Sequence, residues 1–370
     1  HRLANDRAGL HHLRVVVEGR RTRIYLAGHR GLVGGAILRA LLDRGYDQLL
    51  TRGHADLDLT DQAQTRAFFS AERPELVIVA AARVGGIMAN WEHPYEFVQQ
   101  NLAIELNTIH EAFRSGVKRL IFLGSSCIYP KHAPQPLKEE YLLTGSLEET
   151  NRPYAVAKIA GIELCRSLNR QYGTEYLSLM PTNLYGPGDN FDLETSHLLP
   201  ALIRRFHEAK TGAETAAGGS GEPGGVPGRG RDAQWPAAES PAPVVLWGTG
   251  TPRREMLYVG DLADAVCLLL DLPDWRGIPD GLLNVGADED ATIAELATKV
   301  AGVVGYEGAV EWDRSRPDGT PRKLMDSSRM RALGWRPATD LTEGIRTTYE
   351  WYVRRVVSAD SGLSDREDER

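Results

Sequence analysis

The sequence predicts an α/β protein in which a doubly wound parallel sheet carries a smaller α/β domain that closes over substrate. Three observations lead there. Short apolar runs at residues 24–27, 76–82 and 119–123 alternate with stretches of helical periodicity, as a right-handed parallel sheet demands. Gly28, Gly31 and Gly34 follow the first run at once and open a helical stretch. The third run ends in Gly124-Ser-Ser-Cys-Ile-Tyr-Pro130, which puts hydroxyl and thiol side chains where ligands sit, beyond the carboxyl ends of parallel strands.

A chain of 370 residues is long enough for a large core and two domains. Its formal net charge of −7 and pI near 5.9 argue against nucleic acid or an anionic membrane as the main partner. Cys127, Cys165 and Cys267 show no paired spacing and no nearby histidine grouping, so a reduced, cytoplasmic protein without a structural metal is expected. Nowhere do 18 apolar residues run together, and no membrane span is expected.

Residues 1–20 are rich in Arg and His and read as a disordered leader, since Val15-Val-Val17 is too short for a signal-peptide core. Order begins at Arg23 with a buried strand, Ile24-Tyr-Leu-Ala27, and a helix over Val33 to Leu42. Glycines spaced G-x-x-G-x-x-G between them allow a tight turn, close approach of backbone to a pyrophosphate, and close helix-to-strand packing. A Rossmann domain over 21–181 follows, with a segment of about 255–286 returning to it. The second strand should end near Leu49-Leu-Thr-Arg52, where an NAD-specific protein places a carboxylate for the ribose hydroxyl. Arg52 stands there instead, and Arg30 lies in the glycine loop. Two guanidiniums suit the extra phosphate of NADP, although either could simply be solvated.

Leu76 to Ala82 reads as the next buried strand, its small residues leaving room for a cofactor, and Arg83-Val-Gly-Gly-Ile-Met88 as a loop. A helix from about Pro94 to Ser115 carries Asn101, which either lies at the surface or makes a local backbone bond, or else braces the active site. Pro153 can start a further helix, placing Tyr154 and Lys158 four apart on one face. A phenol beside an ammonium is a proton donor whose pKa the positive charge lowers. With Ser125 binding the same oxygen, the trio would polarise a ketone for hydride addition. Cys127, two residues beyond Ser125, would point to the same side of an extended segment; its other reading is a small buried apolar residue.

These motifs, together with Val84-Gly-Gly-Ile87, Tyr154-Ala-Val-Ala-Lys-Ile-Ala-Gly161, Pro181-Thr-Asn-Leu-Tyr-Gly-Pro187, Val245-Leu-Trp-Gly-Thr-Gly250 and Arg316-Pro-Asp-Gly-Thr-Pro-Arg-Lys323, resemble the extended short-chain dehydrogenase/reductases that modify nucleotide sugars, and most closely the branch that makes GDP-L-fucose. The resemblance covers residues 23–353. It implies a homodimeric, NADPH-dependent 3,5-epimerase and 4-reductase acting on GDP-4-dehydro-6-deoxy-D-mannose. Ser125, Tyr154 and Lys158 would serve ketone reduction, and Cys127 with His197 the acid/base work of epimerisation. Cofactor contacts are implied for Gly28, His29, Arg30, Gly31, Leu32, Val33, Gly34, Arg52, Leu123, Gly124, Ser125, Ser126, Tyr154, Lys158, Pro181, Thr182, Asn183, Leu184 and His197. Arg205, Trp247, Arg254 and Asp318 would bind the GDP-sugar. The rival readings are a related 4-reductase or UDP-hexose 4-epimerase, which would not need Cys127 and His197, and a non-catalytic NADP-sensing protein.

The substrate-binding domain is expected at 182–254 and 287–356. Ser196 to Arg205 reads as a helix bringing His197 and Arg205 towards the cleft. Residues 211–243, Gly- and Ala-rich with repeated Pro, read as a flexible insertion, with Trp235 incidental. Val244 to Trp247 resumes the fold as a strand, Arg254 to Asp264 leads into another helix, Asp318 and Arg322-Lys323 lie in a loop, and residues 357–370 form a charged tail.

Overall fold

The computed structural model describes residues 20–218, 241–316 and 318–357. Nearly all of the leader, the stretch 219–240 with Trp235, and the tail from 358 lie outside the described residues.

Strand and helix alternate through the first half: β1 (Ile24–Ala27), α1 (Leu32–Asp43), β2 (Leu49–Leu50), α2 (Gln62–Glu72), β3 (Leu76–Val79), α3 (Ile87–Glu92), α4 (Pro94–Arg114), β4 (Arg119–Leu123), α5 (Arg152–Tyr172) and β5 (Glu175–Pro181). The second half supplies β6 (Asn183–Tyr185), α6 (Leu198–Gly218), β7 (Val244–Trp247), β8 (Arg253–Arg254), β9 (Met256–Tyr258), α7 (Val259–Asp271), β10 (Leu282–Val285), β11 (Ala291–Thr292), α8 (Ile293–Val304), β12 (Val310–Asp313), β13 (Arg322–Lys323), α9 (Ser328–Ala332) and α10 (Leu341–Tyr352).

A six-stranded parallel sheet runs in the order β10-β5-β4-β3-β1-β2. Strands β1 and β3, and β4 after Arg119, read as unbroken apolar runs because both faces are covered. Successive residues of β1 go to opposite cores: Ile24 and Leu26 pack with Ile37 of α1 and Leu262 of α7, whereas Tyr25 and Ala27 pack with Ile109 of α4 and Ile162 of α5. Helix ends follow local rules. Pro94 and Pro153 lie in the first turns of α4 and α5, and α5 stops at Gly173, whose φ of 68 suits a residue without Cβ. The chain runs from β1 to β2 on one side and then crosses back to β3 on the other side of β1, so the strand order reverses and a ligand crevice opens between β1 and β3.

The smaller domain has its own core, in which Leu202 and Phe206 of α6 meet Leu296 and Val300 of α8 and Tyr352 of α10. Parallel pairs β7–β12 and β6–β9 and the three-stranded sheet β11-β8-β13 lie in this half of the chain.

Some expected boundaries move. Strand β3 ends at Val79, and the loop expected to run through Met88 gives way to α3 at Ile87. Helix α6 starts at Leu198 and continues to Gly218, so residues 211–218 prolong a helix and do not begin a loop. Alanines 213, 216 and 217 favour that continuation, because Ala loses least on entering a helix. Arg322 and Lys323 lie in a short strand, not a loop.

Candidate active site

The glycine loop joins β1 to α1. Gly28 has a φ of 85, and a Cβ there would lie 2.6 Å from the Ala81 backbone nitrogen; one on Gly34 would lie 2.1 Å from the Gly28 oxygen. Both glycines are therefore demanded by the fold. A Cβ on Gly31 meets nothing nearer than 3.6 Å, and Gly31 caps α1 without a side-chain hydrogen bond. The N–H groups that open α1, from Leu32 and Val33 onward, thus have no side-chain acceptor at the cap, which is how a helix N-terminus receives phosphate. His29, beside them, has an Nδ1 that is buried without a partner, and burial lowers its pKa.

The two arginines differ. Arg52 is tied to Glu72 at 2.6 Å and lies over the Phe68 ring, whereas Arg30 lies against Gly53 and makes no ion pair among the described residues. Arg30 is the freer of the two to meet an added phosphate. These features fit a dinucleotide with a 2′-phosphate, held by the α1 N-terminus and Arg30.

At the end of β4, the Gly124 N–H donates to the Leu179 carbonyl at 2.8 Å, and a Cβ on Gly124 would lie 2.5 Å from Met180 Sδ. Leu123 and Ser126 are buried. The Ser125 oxygen caps the following turn, accepting from the Cys127 N–H at 3.2 Å. Tyr154 and Lys158 rise from the first turns of α5. The Lys158 ammonium is 2 % exposed, donates to the Leu123 carbonyl at 2.9 Å, and lies 3.2 Å from Glu105 Oε1 on α4. It is 5.7 Å from the centre of the Tyr154 ring.

The expected lowering of the Tyr154 pKa is not found. Burial pushes that phenol upward, Cys127 and Glu105 add to the rise, and a hydrogen bond with Ser125 opposes it. Sequence spacing placed the ammonium near the phenol but not the carboxylate that offsets it.

Cys127 has two donors on its sulfur, Asn151 Nδ2 at 3.3 Å and Lys323 Nζ at 3.7 Å. His197 stands just before α6 and is exposed. The protein packed around it, and then the Lys323 charge, lower its pKa from the usual imidazole value. Lys323 is thus common to both groups. The glycine pair after Val84 closes on the same place, with the Gly86 N–H donating to the Thr195 carbonyl at 3.0 Å. Pro181 ends β5 beside Val285, the Thr182 N–H just after it donates to the Val285 carbonyl at 3.1 Å, and Asn183 donates to the Glu255 carbonyl at 2.9 Å, with Leu184 following in β6.

Lys323 pairs with Arg254 in the sheet, which carries the site towards the smaller domain. Burial lowers the Arg254 pKa, and Asp318 opposes that shift. Asp318 accepts from Thr249 N at 2.9 Å and Oγ1 at 2.7 Å, pinning the turn that follows Trp247. The Trp247 ring is exposed, with the Arg316 guanidinium 4.9 Å from its centre. Arg205 lies two turns beyond His197 on α6, half-buried and without an ion pair among the described residues.

Asn101 is fully buried, accepting from the Arg83 N–H at 2.8 Å and donating to the Arg83 carbonyl at 3.0 Å. It also donates to the Phe97 carbonyl at 2.8 Å, so it makes the expected local backbone bond and in addition braces the loop after β3. Asn151 and Glu105 were not singled out from sequence. Asn151 is separated from Cys127 by 24 positions. Glu105 had a signal, a charge one turn beyond Asn101 on the face of α4 that also carries Phe97, Ile109 and Ala112.

Comparisons with known proteins agree with this geometry. The family model for the NAD dependent epimerase/dehydratase family matches residues 24–286. The chain is 52% identical over 335 residues to GDP-L-fucose synthase 1 of Arabidopsis thaliana, covering 90% of this chain and 94% of that protein. It is 48% identical over 336 residues to GDP-L-fucose synthase of Escherichia coli (strain K12), covering 90% and 96%. Among solved structures it resembles a GDP-mannoheptose C4 reductase from Campylobacter jejuni with NADP bound, at a TM-score of 0.78, 36% identity, and coverage of 90% and 98%.

Proposed function

The chain belongs to the NAD dependent epimerase/dehydratase family, and we propose that within it this site makes GDP-L-fucose, inverting carbons 3 and 5 of GDP-4-dehydro-6-deoxy-D-mannose and reducing its 4-ketone with NADPH. The observation that carries the reading is the Cys127 sulfur, two residues beyond Ser125 and held by Asn151 and Lys323, with His197 feeling the same Lys323 charge. A reductase alone needs only Ser125 and Tyr154.

Carbons 3 and 5 flank the ketone, so losing a proton from either leaves an enolate whose oxygen Ser125 and Tyr154 can bond. Cys127, with two donors on its sulfur, takes that proton, and His197 returns one to the opposite face. NADPH, when bound, supplies the hydride for carbon 4. Tyr154 gives the oxygen its proton, and a phenol pushed upward by burial stays protonated for that task at neutral pH. Arg254 and Arg205 suit the diphosphate as charge-assisted donors, and the open face of Trp247 suits the base.

No helix among the described residues is long and apolar enough to cross a membrane. A cytoplasmic location is our reading of the three free cysteines, to be checked by fractionation. Two copies would pair through α4 and α5, whose groove is lined by Leu102, Leu106 and Leu164, with Leu102 and Leu106 exposed. Sedimentation as a monomer at micromolar concentration would remove that pairing.

The deciding experiment supplies GDP-4-dehydro-6-deoxy-D-mannose and NADPH and identifies the product by NMR. GDP-L-fucose is expected. An uninverted GDP-6-deoxyhexose would reduce the assignment to a 4-reductase, and no NADPH oxidation would leave a non-catalytic protein.

A further inference from the structure

The carboxylate of Glu105 has no part in the chemistry above, yet it is 1 % exposed and faces the catalytic lysine. Neither of its oxygens receives a hydrogen bond among the described residues, so the Lys158 ammonium, 3.2 Å from Oε1, is its charge partner. Room for it comes from Gly161, the glycine three residues past Lys158. A Cβ there would lie 2.9 Å from Glu105 Oε2 and 2.5 Å from the Phe122 ring. The ammonium sits over that same ring, 4.8 Å from its centre. It is therefore bounded by the carboxylate of α4, the Phe122 face and the Leu123 carbonyl.

A buried ion pair is a poor means of joining two helices, because desolvating both charges offsets most of their attraction. Its position against the catalytic side chains gives it another use. We propose that Glu105 is a positioning residue for ketone reduction, fixing the Lys158 ammonium between its own carboxylate and the Leu123 carbonyl and balancing its charge. The inference rests on the function proposed above.

Two consequences follow from the charge. Burial raises the Glu105 pKa and the adjoining Lys158 charge opposes that rise; with Glu105 ionised, the ammonium is compensated, and the Tyr154 phenol feels little net positive field and remains an acid. Without it, a buried and uncompensated ammonium gives up its proton more readily, and the phenol loses a neighbour that holds its own proton on. Both changes move in one direction, so the alkaline limb of the reduction rate should fall at lower pH. The other titratable groups that face the pair are Tyr154, Glu163 and Cys165 on α5 and Cys127 from the turn after β4. On the far side, Arg66 of α2 is occupied with Glu111 at 3.2 Å.

The test compares the unaltered enzyme with Glu105→Gln and Glu105→Asp, following NADPH oxidation against pH and deuterium incorporation at carbons 3 and 5 in heavy water. Glu105→Gln should lower kcat for reduction about tenfold or more and move its alkaline limb down by about one pH unit or more, with deuterium incorporation kept. Glu105→Asp should restore the limb and part of the rate. An unmoved limb in Glu105→Gln, with reduction and exchange falling in the same proportion, would mean a purely structural carboxylate and overturn the proposal. If Glu105→Gln does not fold, Glu105→Asp decides alone: the shorter side chain should still cost several-fold in kcat, and a rate equal to that of the unaltered enzyme would overturn the proposal. Absence of NADPH oxidation by the unaltered enzyme would instead refute the function on which the inference rests.

Discussion

The groups proposed for reduction and those proposed for epimerisation are built differently. Ser125, Tyr154 and Lys158 come from one strand end and one helix, packed directly together, and Lys158 is held in a buried cage of a carboxylate, a carbonyl and an aromatic ring. Cys127, Asn151, His197 and Lys323 come from four separate segments, and His197 is exposed. The first group depends on local packing within the nucleotide-binding half. The second exists only when β13 and the loop before α6 are brought to the end of β4. Disturbing the contacts between the halves should therefore impair inversion before it impairs reduction.

The sharpest test of that division is Tyr154→Phe. Losing the phenolic proton should lower NADPH oxidation about a thousandfold, while deuterium exchange at carbons 3 and 5 continues at a reduced rate through Ser125. Equal loss of both activities would show that the two groups are not separable.

Cys127→Ser probes the other half. An alcohol is a far weaker acid than a thiol, so proton removal should fall about a hundredfold or more. Slow NADPH oxidation should persist and yield an uninverted GDP-6-deoxyhexose, identifiable by NMR. Unchanged deuterium incorporation would remove the thiol from the mechanism.

Lys323→Met should cost less, about tenfold in exchange, with reduction nearly intact. It also carries a pH signature. The Lys323 charge is the second cause, after burial, of the lowered His197 pKa. Removing it should raise that pKa and, because His197 gives the proton, move the alkaline limb of exchange to higher pH. A limb that stays in place would separate His197 from Lys323.

The smallest effect concerns the cofactor. Because Arg52 is engaged by Glu72 at 2.6 Å and Arg30 is not, Arg30→Ala should raise KM for NADPH about tenfold and leave KM for NADH nearly unchanged, with Arg52→Ala weaker in the same direction. The reverse order would mean that Arg52 leaves Glu72 when the phosphate arrives.

Much of this was legible in the chain. Unbroken apolar strands mark a sheet covered on both faces, glycines at 28 and 34 mark backbone that passes too close for any Cβ, and prolines at 94 and 153 mark helix starts. A four-residue spacing is enough to put Tyr154 and Lys158 on one helix face. All these are short-range constraints, set by one turn or one strand, and sequence records them directly. The tertiary structure alone decided what surrounds those side chains. It placed Glu105 against Lys158 from another helix, gave Arg52 to Glu72, and brought Lys323 to a sulfur 196 positions away. It also reversed the expected shift of Tyr154, because burial acts through everything packed around a group, whereas a motif names only the residues within it.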